Sequence, residues 1–331
     1  MDFHFNNGFI FMINTYGTAV LIIGMGNLGT RYLQGLMKSN CIKDIYCIDA
    51  SNESLALARS RSEDVKDKKY TGKIYFLNKI PENQNYEILI NSTCADVRYE
   101  TTLEAITKNN IRNIILEKVL FQNTDHYENF LKILNENSMS AWINCPRRVS
   151  GIYKKIYTQL NKNLPIEISI SGGRWGFLCN TIHFNDLFLF LTNKSTISNM
   201  EIKKYCKPFE SKRANFYEIY GKFTGNIDNH SINIECLDNS KDLIVNIING
   251  DKEYIVNETQ GIFINGKNSQ SFKFLYQSEL TTSVAEKIIL DGSSDLPTYR
   301  ETYITHLNFL RSVQLNLKFF AEFKFDNVPI T

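Results

Sequence analysis

The chain has 331 residues, of which 43% are hydrophobic and 22% are charged, and its formal net charge is +2. This length exceeds what one hydrophobic core usually serves, so two domains are expected, and the composition is that of an ordinary soluble globular protein. The acidic and basic residues are well mixed, with no long basic block to follow nucleic-acid phosphates, which argues against nucleic acid as a partner.

The seven cysteines indicate a reducing, cytoplasmic setting. Their number is odd, and they form neither a CxxC pair nor the spacing typical of a zinc site, so no metal is expected. No apolar run approaches the roughly 18 residues that indicate a membrane span. The sequence therefore predicts no membrane partner.

Residues 1–16 are interpreted as an N-terminal extension without an assigned function. FHFNNGFIFMI is apolar but lacks the positive start and the small-residue cleavage site of a signal peptide. Met12 stands a few residues before the first clear strand, so it is an alternative start of translation.

From Thr18 onward the pattern predicts a strand, a glycine-rich turn and a helix. TAVLIIG is a continuous β-branched and aliphatic run, which is typical of a buried parallel strand. Gly24, Gly26 and Gly29 then form G-x-G-x-x-G, and TRYLQGLMKS continues with helical spacing. In such a turn the first glycine permits the tight bend, the second lets the backbone approach a pyrophosphate, and the third allows the helix to pack closely on the strand.

A second strand, DIYCIDA, ends in an acid where a ribose-binding carboxylate is expected. Asp49 follows Gly29 by about 20 residues, the spacing found in dinucleotide-binding units. The N-terminus of the intervening helix, with Asn27 and Leu28, offers backbone N–H groups to an anion. The alternative is a glycine-rich turn that binds nothing, with Asp49 capping the next helix.

Further alternation predicts a doubly wound parallel sheet. KIYFLN and YEILINST indicate two more strands, VRYETTLEAITKN a helix, and IRNIILEKVLF and SMSAWINC a fifth and a sixth strand. Ligands of such sheets bind beyond the C-terminal ends of the strands. Each polar residue there is a candidate for lining that crevice or, alternatively, a strand-end cap or solvated loop residue: Asn91, Ser92, Thr93, Glu117, Lys118 and Asn144.

Near Cys145 the hydrophobic period changes from helical to strand-like, and a domain boundary is predicted there. After a helix beginning near Val149, IEISISGG alternates apolar and polar residues as a half-buried strand does, and six similar runs follow. NGD at 249–251 predicts a hairpin turn. We therefore expect an open, mainly antiparallel sheet, closed by helices around SVAEKIIL and PTYRETYITHLNFLRSVQ.

WGFLCNTIHFNDLFLFL, at 175–191, predicts a helix with two different stripes. Phe184 and Leu187 belong to the apolar stripe, which we expect to pack on the sheet. The adjoining polar stripe, expected to face the nucleotide crevice, has four members: Cys179, Asn180, His183 and Asp186.

In their order along the chain, these elements resemble the Gfo/Idh/MocA family of NAD(P)-dependent sugar and cyclitol oxidoreductases. The resemblance runs from about Thr18 to the C-terminal helix and includes GMGNLG, Asp49, the Glu117-Lys118 pair, the DxxxHxxD-like helix with His183 and Asp186, and LPTYRETYITH. It implies a Rossmann dinucleotide-binding domain over 17–145 (α/β) and an α+β substrate and oligomerisation domain over 146–331.

The resemblance further implies hydride transfer between nicotinamide and a carbinol carbon of a sugar, nucleotide-sugar or cyclitol, with a role in surface-glycan synthesis as a guess. His183 would exchange the hydroxyl proton, and Lys118 would hydrogen-bond the same hydroxyl. A core histidine and a surface lysine are the alternatives, and Asp186, the third implied catalytic residue, is alternatively part of a structural ion pair. The remaining implied contacts are Ser92, Thr93 and Glu117 with the cofactor, and Arg148, Trp175 and Asn180 with the substrate.

Two departures from the family pattern keep a second function open. Val119 replaces the usual proline, which excludes a cis X-Pro bond after Lys118, and Cys179 replaces an acid one turn before the histidine. Asn180 or Asp186 would then orient His183. The alternative function is a catalytically lapsed dinucleotide-binding sensor or scaffold.

The cofactor is predicted to be NAD, because the Asp49 carboxylate would repel a 2′-phosphate and the following Ala50 and Ser51 offer no arginine to receive one. A homo-oligomer is also predicted, since the second face of an open sheet needs a cover and family members commonly associate there.

Overall fold

The computed structural model describes residues 18–65, 70–239, 241–316 and 327–331. The predicted N-terminal extension, including Met12, lies outside the described residues. Within them the chain forms two large sheets flanked by helices. None of the described helices is both long and apolar enough to cross a membrane.

The first sheet confirms the predicted doubly wound architecture. Its strands are β1 (Ala19–Ile23), β2 (Asp44–Ile48), β3 (Lys73–Leu77), β4 (Asn85–Asn91), β5 (Asn110–Leu116) and β6 (Ser140–Ile143). They lie in the order β3-β2-β1-β4-β5-β6, and every neighbouring pair is parallel. The strand order reverses between β1 and β4, so the C-terminal ends of these two strands border the crevice in which such sheets bind ligands.

Four helices connect these strands: α1 (Asn27–Leu36), α2 (Asn52–Glu63), α3 (Arg98–Lys108) and α4 (Asp125–Glu136). Helices α1 and α3 were predicted from the sequence, whereas α2 and α4 were not. α4 buries Tyr127, Phe130 and Leu134, which recur at the three- and four-residue spacing of an amphipathic helix.

The second sheet has eight strands and is mainly antiparallel, as predicted. Its strands are β7 (Ile166–Gly173), β8 (Ser198–Lys204), β11 (Gly221–Ile227), β12 (His230–Leu237), β13 (Ile244–Asn249), β14 (Lys252–Asn257), β15 (Ile262–Asn265) and β16 (Asn268–Ser271), while β9 (Phe209–Glu210) and β10 (Tyr217–Glu218) form a separate short ribbon. The order is β16-β15-β14-β13-β7-β12-β11-β8, and only β7 and β12 pair in parallel. The predicted hairpin is confirmed, since Asn249 pairs with Lys252 around the turn.

Two of the four helices that follow the first sheet cover one face of the second sheet. After a 3-10 helix (Pro146–Val149) the chain forms α5 (Gly151–Gln159), α6 (Phe177–Thr192), α7 (Gln277–Asp291) and α8 (Tyr299–Asn316). α6 packs on β7 and β12, and α8 packs on β8. Phe184, Leu187, Phe188 and Leu191 of α6 are fully buried, which confirms the predicted apolar stripe.

α7 packs against α1 of the first sheet instead of the second. The Thr282 hydroxyl donates to the Gly35 carbonyl at 2.8 Å, and a Cβ on Gly35 would lie 2.6 Å from that of Thr281. The chain leaves the first sheet after Ile143, but α7, which follows the second sheet in sequence, packs against the first. The domain boundary near Cys145 therefore stays a prediction.

Candidate active site

The three motif glycines differ in what a side chain at each position would meet. Gly24 has φ +90, and a Cβ there would lie 2.8 Å from the backbone nitrogen of Thr93. A Cβ on Gly29 would lie 1.9 Å from the Gly24 carbonyl oxygen, so this glycine is needed where α1 meets the turn. A Cβ on Gly26 would meet nothing within 4 Å. The motif therefore combines two packing glycines with one that leaves open space beside the backbone.

The N-terminus of α1 opens onto the same space. Gly26 is its N-cap and supplies no side-chain cap, and both Gly26 and Asn27 are exposed. The N–H groups of a first helical turn have no intrahelical partner, and they favour an anion. The guanidinium of Arg61, which the sequence analysis did not single out, donates to the Asn27 Oδ1 atom at 2.8 Å and adds a positive charge here.

Asp49 lies directly against the glycine turn. Its Oδ2 atom accepts from the Met25 backbone N–H at 2.6 Å, and its Oδ1 atom accepts from the Ser51 backbone N–H at 2.8 Å. Asp49 does not cap α2, because the Ser51 hydroxyl accepts from the Ser54 N–H in that role. The carboxylate is thus held at the edge of the crevice.

The residues that follow β4 support the turn from the other side. The Ser92 hydroxyl donates to the Gly24 carbonyl at 2.7 Å, and the Thr93 hydroxyl donates to Asn91 Oδ1 at 2.7 Å. Asn91 is fully buried and donates to Thr102 of α3 at 2.8 Å. Asn91 therefore links β4 to α3, as in the structural alternative, whereas Ser92 and Thr93 lie beside the glycine turn.

Glu117 lies at the end of β5 in a buried polar cluster. Its Oε1 atom accepts from the Tyr32 hydroxyl and from the Asn144 amide, both at 2.6 Å. The same Asn144 amide donates to Gln277 Oε1 at 2.9 Å. Burial, followed by the charge of Glu117, raises the pKa of Tyr32. Of these residues Tyr32 and Gln277 were not predicted, because they come from α1 and α7.

Lys118 joins the first sheet to α6. Its Nζ atom donates to Cys179 Sγ at 2.9 Å, so the predicted polar stripe reaches the strand ends through Cys179. The Lys118-Val119 peptide bond is cis although residue 119 is not proline. The replacement of proline by valine therefore did not remove the cis bond.

The backbone around Lys118 is held by Arg98, which the sequence analysis did not identify. This arginine is only 1% exposed, and it donates to the carbonyls of Glu117 and Leu120 at 2.9 Å and to that of Val119. A buried guanidinium that bonds three carbonyls of one loop fixes the course of that loop.

His183 is half-buried on α6, one turn after Cys179, and its Nδ1 atom has no hydrogen-bond partner within the described residues. Burial, followed by the charges of Arg147 and Lys118, holds the pKa of His183 well below its usual value. The imidazole is therefore neutral at physiological pH, and the lowered pKa makes it a weaker proton acceptor than a free imidazole.

Neither residue expected to orient His183 bonds to it. Both oxygens of the fully buried Asp186 accept from Arg148, at 2.9 and 2.5 Å, and the Asn180 amide donates to the Trp175 carbonyl at 2.7 Å. Burial raises the pKa of Asp186 to about 6 against the opposing effect of Arg148. The structure thus gives Asp186 and Arg148 the ion pair of the structural alternative.

The polar groups of Trp175, Arg147 and Arg174 differ in whether a partner already holds them. Trp175 packs edge-on against Phe184 at 5.5 Å, and its Nε1 atom has no partner among the described residues. Arg147 is paired with Glu258 at 2.7 Å, and the exposed Arg174 is paired with Asp238 at 2.8 Å. Trp175 is therefore the one of these with a free polar atom.

Glu218 of β10 is a further acid that the sequence analysis missed. Its Oε2 atom accepts from the Leu178 N–H at 2.7 Å, and its Oε1 atom accepts from the Cys179 N–H at 3.0 Å. Burial raises the pKa of Glu218 to about 7, opposed by these N–H groups and by Lys118. The apolar setting of the acid in FYEIYGKF is the only sequence signal for it.

A cavity of about 230 Å³ lies beside this site. Arg147, Glu258, Lys273 and Phe274 are among its lining residues, whereas Lys118 and His183 are not.

The parallel sheet with its glycine turn has the doubly wound Rossmann topology, and a mixed sheet with its own helices follows it. No protein-family model matches the chain, and no curated protein matches its sequence. Solved structures with the same fold do exist, at low sequence identity.

GenD2 from gentamicin A biosynthesis, solved in complex with NAD, has a TM-score of 0.70 and 11% identity, covering 91% of this chain and 94% of its own. A myo-inositol dehydrogenase from Corynebacterium glutamicum has a TM-score of 0.67 and 13% identity, covering 92% and 97%. The UDP-N-acetylglucosamine 3-dehydrogenase GnnA from Acidithiobacillus ferrooxidans has a TM-score of 0.64 and 11% identity, covering 91% of this chain and 96% of its own. The chain therefore has the fold of these dehydrogenases, and the fold expected from the family resemblance is confirmed.

Proposed function

We propose that this chain is an NAD-dependent oxidoreductase of the Gfo/Idh/MocA family, acting on a carbinol carbon of a sugar, nucleotide-sugar or cyclitol. The observation that carries the proposal is the contact of Lys118 with Cys179. It brings the strand-end lysine and the helix of His183 together beyond the sheet that holds the glycine turn. The neighbours named as sugar-nucleotide and inositol dehydrogenases support the substrate class, and surface-glycan synthesis is a hypothesis about its use.

The crevice fits NAD. Open space at Gly26, the uncapped N-terminus of α1 and the Asp49 carboxylate provide the surroundings that a pyrophosphate and a ribose require. Gly26, Asn27, Leu28 and Asp49 would hold these groups, and Ser92, Thr93 and Glu117 would lie toward the nicotinamide end. NAD, when bound, supplies the hydride acceptor.

The residues of the chain handle the proton and the charge. The neutral imidazole of His183 would accept the hydroxyl proton of the substrate as its carbon is oxidised. The Lys118 ammonium would donate a hydrogen bond to the same oxygen and stabilise its developing negative charge. Trp175 and Asn180 would border the substrate, while Asp186 and Arg148 would hold α6 against the 3-10 helix.

A catalytically lapsed sensor or scaffold is the second candidate, favoured by the absence of any hydrogen bond to His183 Nδ1 among the described residues. Native mass spectrometry of the purified protein for bound nucleotide, followed by a sugar panel read at the NADH absorbance, separates the two. An enzyme binds NAD and turns over a substrate, whereas a sensor only binds.

NAD is expected to bind more tightly than NADP. The Asp49 carboxylate at the turn would repel the 2′-phosphate of NADP, because both are negatively charged. Asp49→Ala should therefore weaken NAD binding and reduce the difference in affinity between NAD and NADP. Calorimetric titration of both nucleotides measures this. Tighter binding of NADP to the unaltered protein would show that the assignment is wrong.

We also propose a homo-oligomer through the uncovered face of the second sheet. Ile244, Ile255, Ile262 and Ile264 are partly exposed there, and Ile248 is 38% exposed. Ile255 lies opposite Ile264 on the neighbouring strand, so these side chains form an apolar patch.

Light scattering at micromolar concentration should give at least a dimer mass, and Ile248→Glu should lower it by placing a charge in the patch. Leu57→Glu, the same kind of change at a 49% exposed position on α2 of the first sheet, is the matched control. A monomeric mass for the unaltered protein would contradict the proposal.

The seven cysteines, all within the described residues, are free thiols. This supports the proposed reducing, cytoplasmic setting.

A further inference from the structure

Glu218 connects two parts of the structure that are remote in sequence. It lies on β10, yet its carboxylate accepts from two successive backbone N–H groups in the first turn of α6. That turn has Gly176 as its N-cap, with φ +80 and no side-chain cap of its own. A carboxylate at this end of a helix is stabilised by the free N–H groups and by the helix dipole.

The same helical turn contacts Lys118. Cys179 receives the Glu218 carboxylate on its backbone N–H and the Lys118 ammonium on its Sγ atom, at 3.0 and 2.9 Å. One residue thus lies between the acid and the lysine, and a shift of this turn would move the thiol to which Lys118 donates. Lys118 also acts on Glu218 through its charge.

β10 is anchored independently of α6, by the C-terminal segment 327–331. The Tyr217 N–H donates to the Pro329 carbonyl at 2.9 Å, and the Thr331 hydroxyl accepts from the Ala95 N–H at 2.9 Å. Ala95 follows the strand-end residues of β4, so this segment ties the Glu218 strand to the first sheet. The position of the acid relative to the crevice is thereby set from outside α6.

We propose that Glu218 is a positioning residue of the reaction site: its carboxylate fixes the first turn of α6 and so holds Cys179 against Lys118. The inference rests on the proposed oxidoreductase function. It names an acid that acts through the helix backbone and touches neither substrate nor cofactor.

The charge state of Glu218 gives this role a pH dependence. The pKa of its carboxyl is raised to about 7, so the ionised form prevails only above that pH. The titratable groups facing it are Lys118, which follows β5, Cys179 of α6 and Cys236 of β12. His183 stays neutral across this range, because its pKa is well below its usual value. Turnover is therefore expected to rise through about pH 7 as Glu218 ionises.

Glu218→Gln is the test, since the amide keeps the shape but loses the charge and one acceptor oxygen. We expect kcat to fall between about 10- and 100-fold, the scale of a small misplacement of reacting groups. The affinity for NAD should be unchanged, and the rise of turnover near pH 7 should be lost. Glu210→Gln, on the paired strand β9, is the control and should leave turnover and its pH profile unaltered. An unchanged kcat and pH profile in Glu218→Gln would overturn the proposal.

A second readout does not need a substrate. Hydrogen–deuterium exchange of the Leu178 and Cys179 amides, which donate to Glu218, is measured as protection relative to the intrinsic exchange rate at each pH. This protection should rise with pH near 7 in the unaltered protein and lose that dependence in Glu218→Gln. If the unaltered protein turns over nothing but shows this dependence, the proposed function fails while the role of Glu218 in the helical turn stands. An identical profile in both proteins overturns that role.

Glu218→Asp decides the matter if Glu218→Gln does not fold. The shorter acid keeps its charge, so the pH dependence of amide protection in the first turn of α6 should persist while kcat falls. Retention of full kcat with the shorter side chain would overturn the positioning role.

Discussion

His183→Asn is expected to lower turnover by about 10² to 10⁴, the usual contribution of a positioned acid or base, while leaving folding and NAD affinity nearly intact. The imidazole is half-buried, its Nδ1 atom has no partner in the described structure, and its low pKa keeps it neutral. Replacing it therefore breaks no hydrogen bond at Nδ1 but removes the proton acceptor. Steady-state kinetics, NAD titration and a melting curve for each variant measure the three quantities.

Lys118→Ala is the parallel variant, because loss of the ammonium beside the developing alkoxide should also reduce turnover without abolishing NAD binding. Cys179→Asp restores a carboxylate one turn before His183. A higher turnover in this variant would show that the cysteine at this position limits the rate. If His183→Asn instead lowers stability by about 1 to 3 kcal/mol, as loss of a buried hydrogen bond would, and turnover per folded molecule is normal, the residue is a core histidine.

Two alanine substitutions in the glycine motif should have opposite signatures. Gly26→Ala should leave the melting temperature nearly unchanged and strongly weaken NAD binding, because the added methyl meets no protein atom within 4 Å but occupies the space beside the backbone. Gly29→Ala should destabilise the protein by roughly 3 kcal/mol or more, since its Cβ would lie 1.9 Å from the Gly24 carbonyl oxygen and α1 must shift.

Thermal melts and NAD titrations of both variants make the comparison, with the unaltered protein as reference. A Gly26→Ala protein that melts normally and binds NAD as tightly as the original would show that no pyrophosphate lies at this turn. A stable Gly29→Ala protein would contradict the close contact between the helix and the turn.

The sequence predicts the local elements of the site well, because each is encoded in a contiguous pattern. β1, the glycine turn, α1 and Asp49 are read from one short stretch, in which burial on both sides of a parallel strand gives a continuous apolar run. The apolar stripe of α6 follows equally from the helical period. These features need no knowledge of contacts between distant residues.

The contacts that hold the site together come from residues distant in sequence, and no periodic pattern shows them. Arg98 lies on α3 and bonds the backbone around Lys118, and Gln277 reaches Asn144 from α7. Glu218 lies on a two-residue strand, too short to have a period. His306 on α8 is fully buried, and burial lowers its pKa to about 3.

The ion pair between Asp186 and Arg148 shows why helical spacing alone did not predict the contacts of the polar stripe of α6. Asp186 belongs to the polar stripe by helical spacing, but it points to the 3-10 helix, where Arg148 binds both of its oxygens. The spacing that places Cys179, His183 and Asp186 on one side of the helix does not determine which neighbouring element each one meets.

The most direct test of the central claim is hydride transfer itself. The purified protein is incubated with NAD and a panel of sugars, nucleotide-sugars and cyclitols, and the NADH absorbance is followed for the unaltered protein and for Lys118→Ala. The account predicts NADH formation with at least one compound class, at a rate that falls by about 10² or more in the variant. Tight NAD binding with no turnover of any compound, or a rate that is equal in Lys118→Ala, would contradict it.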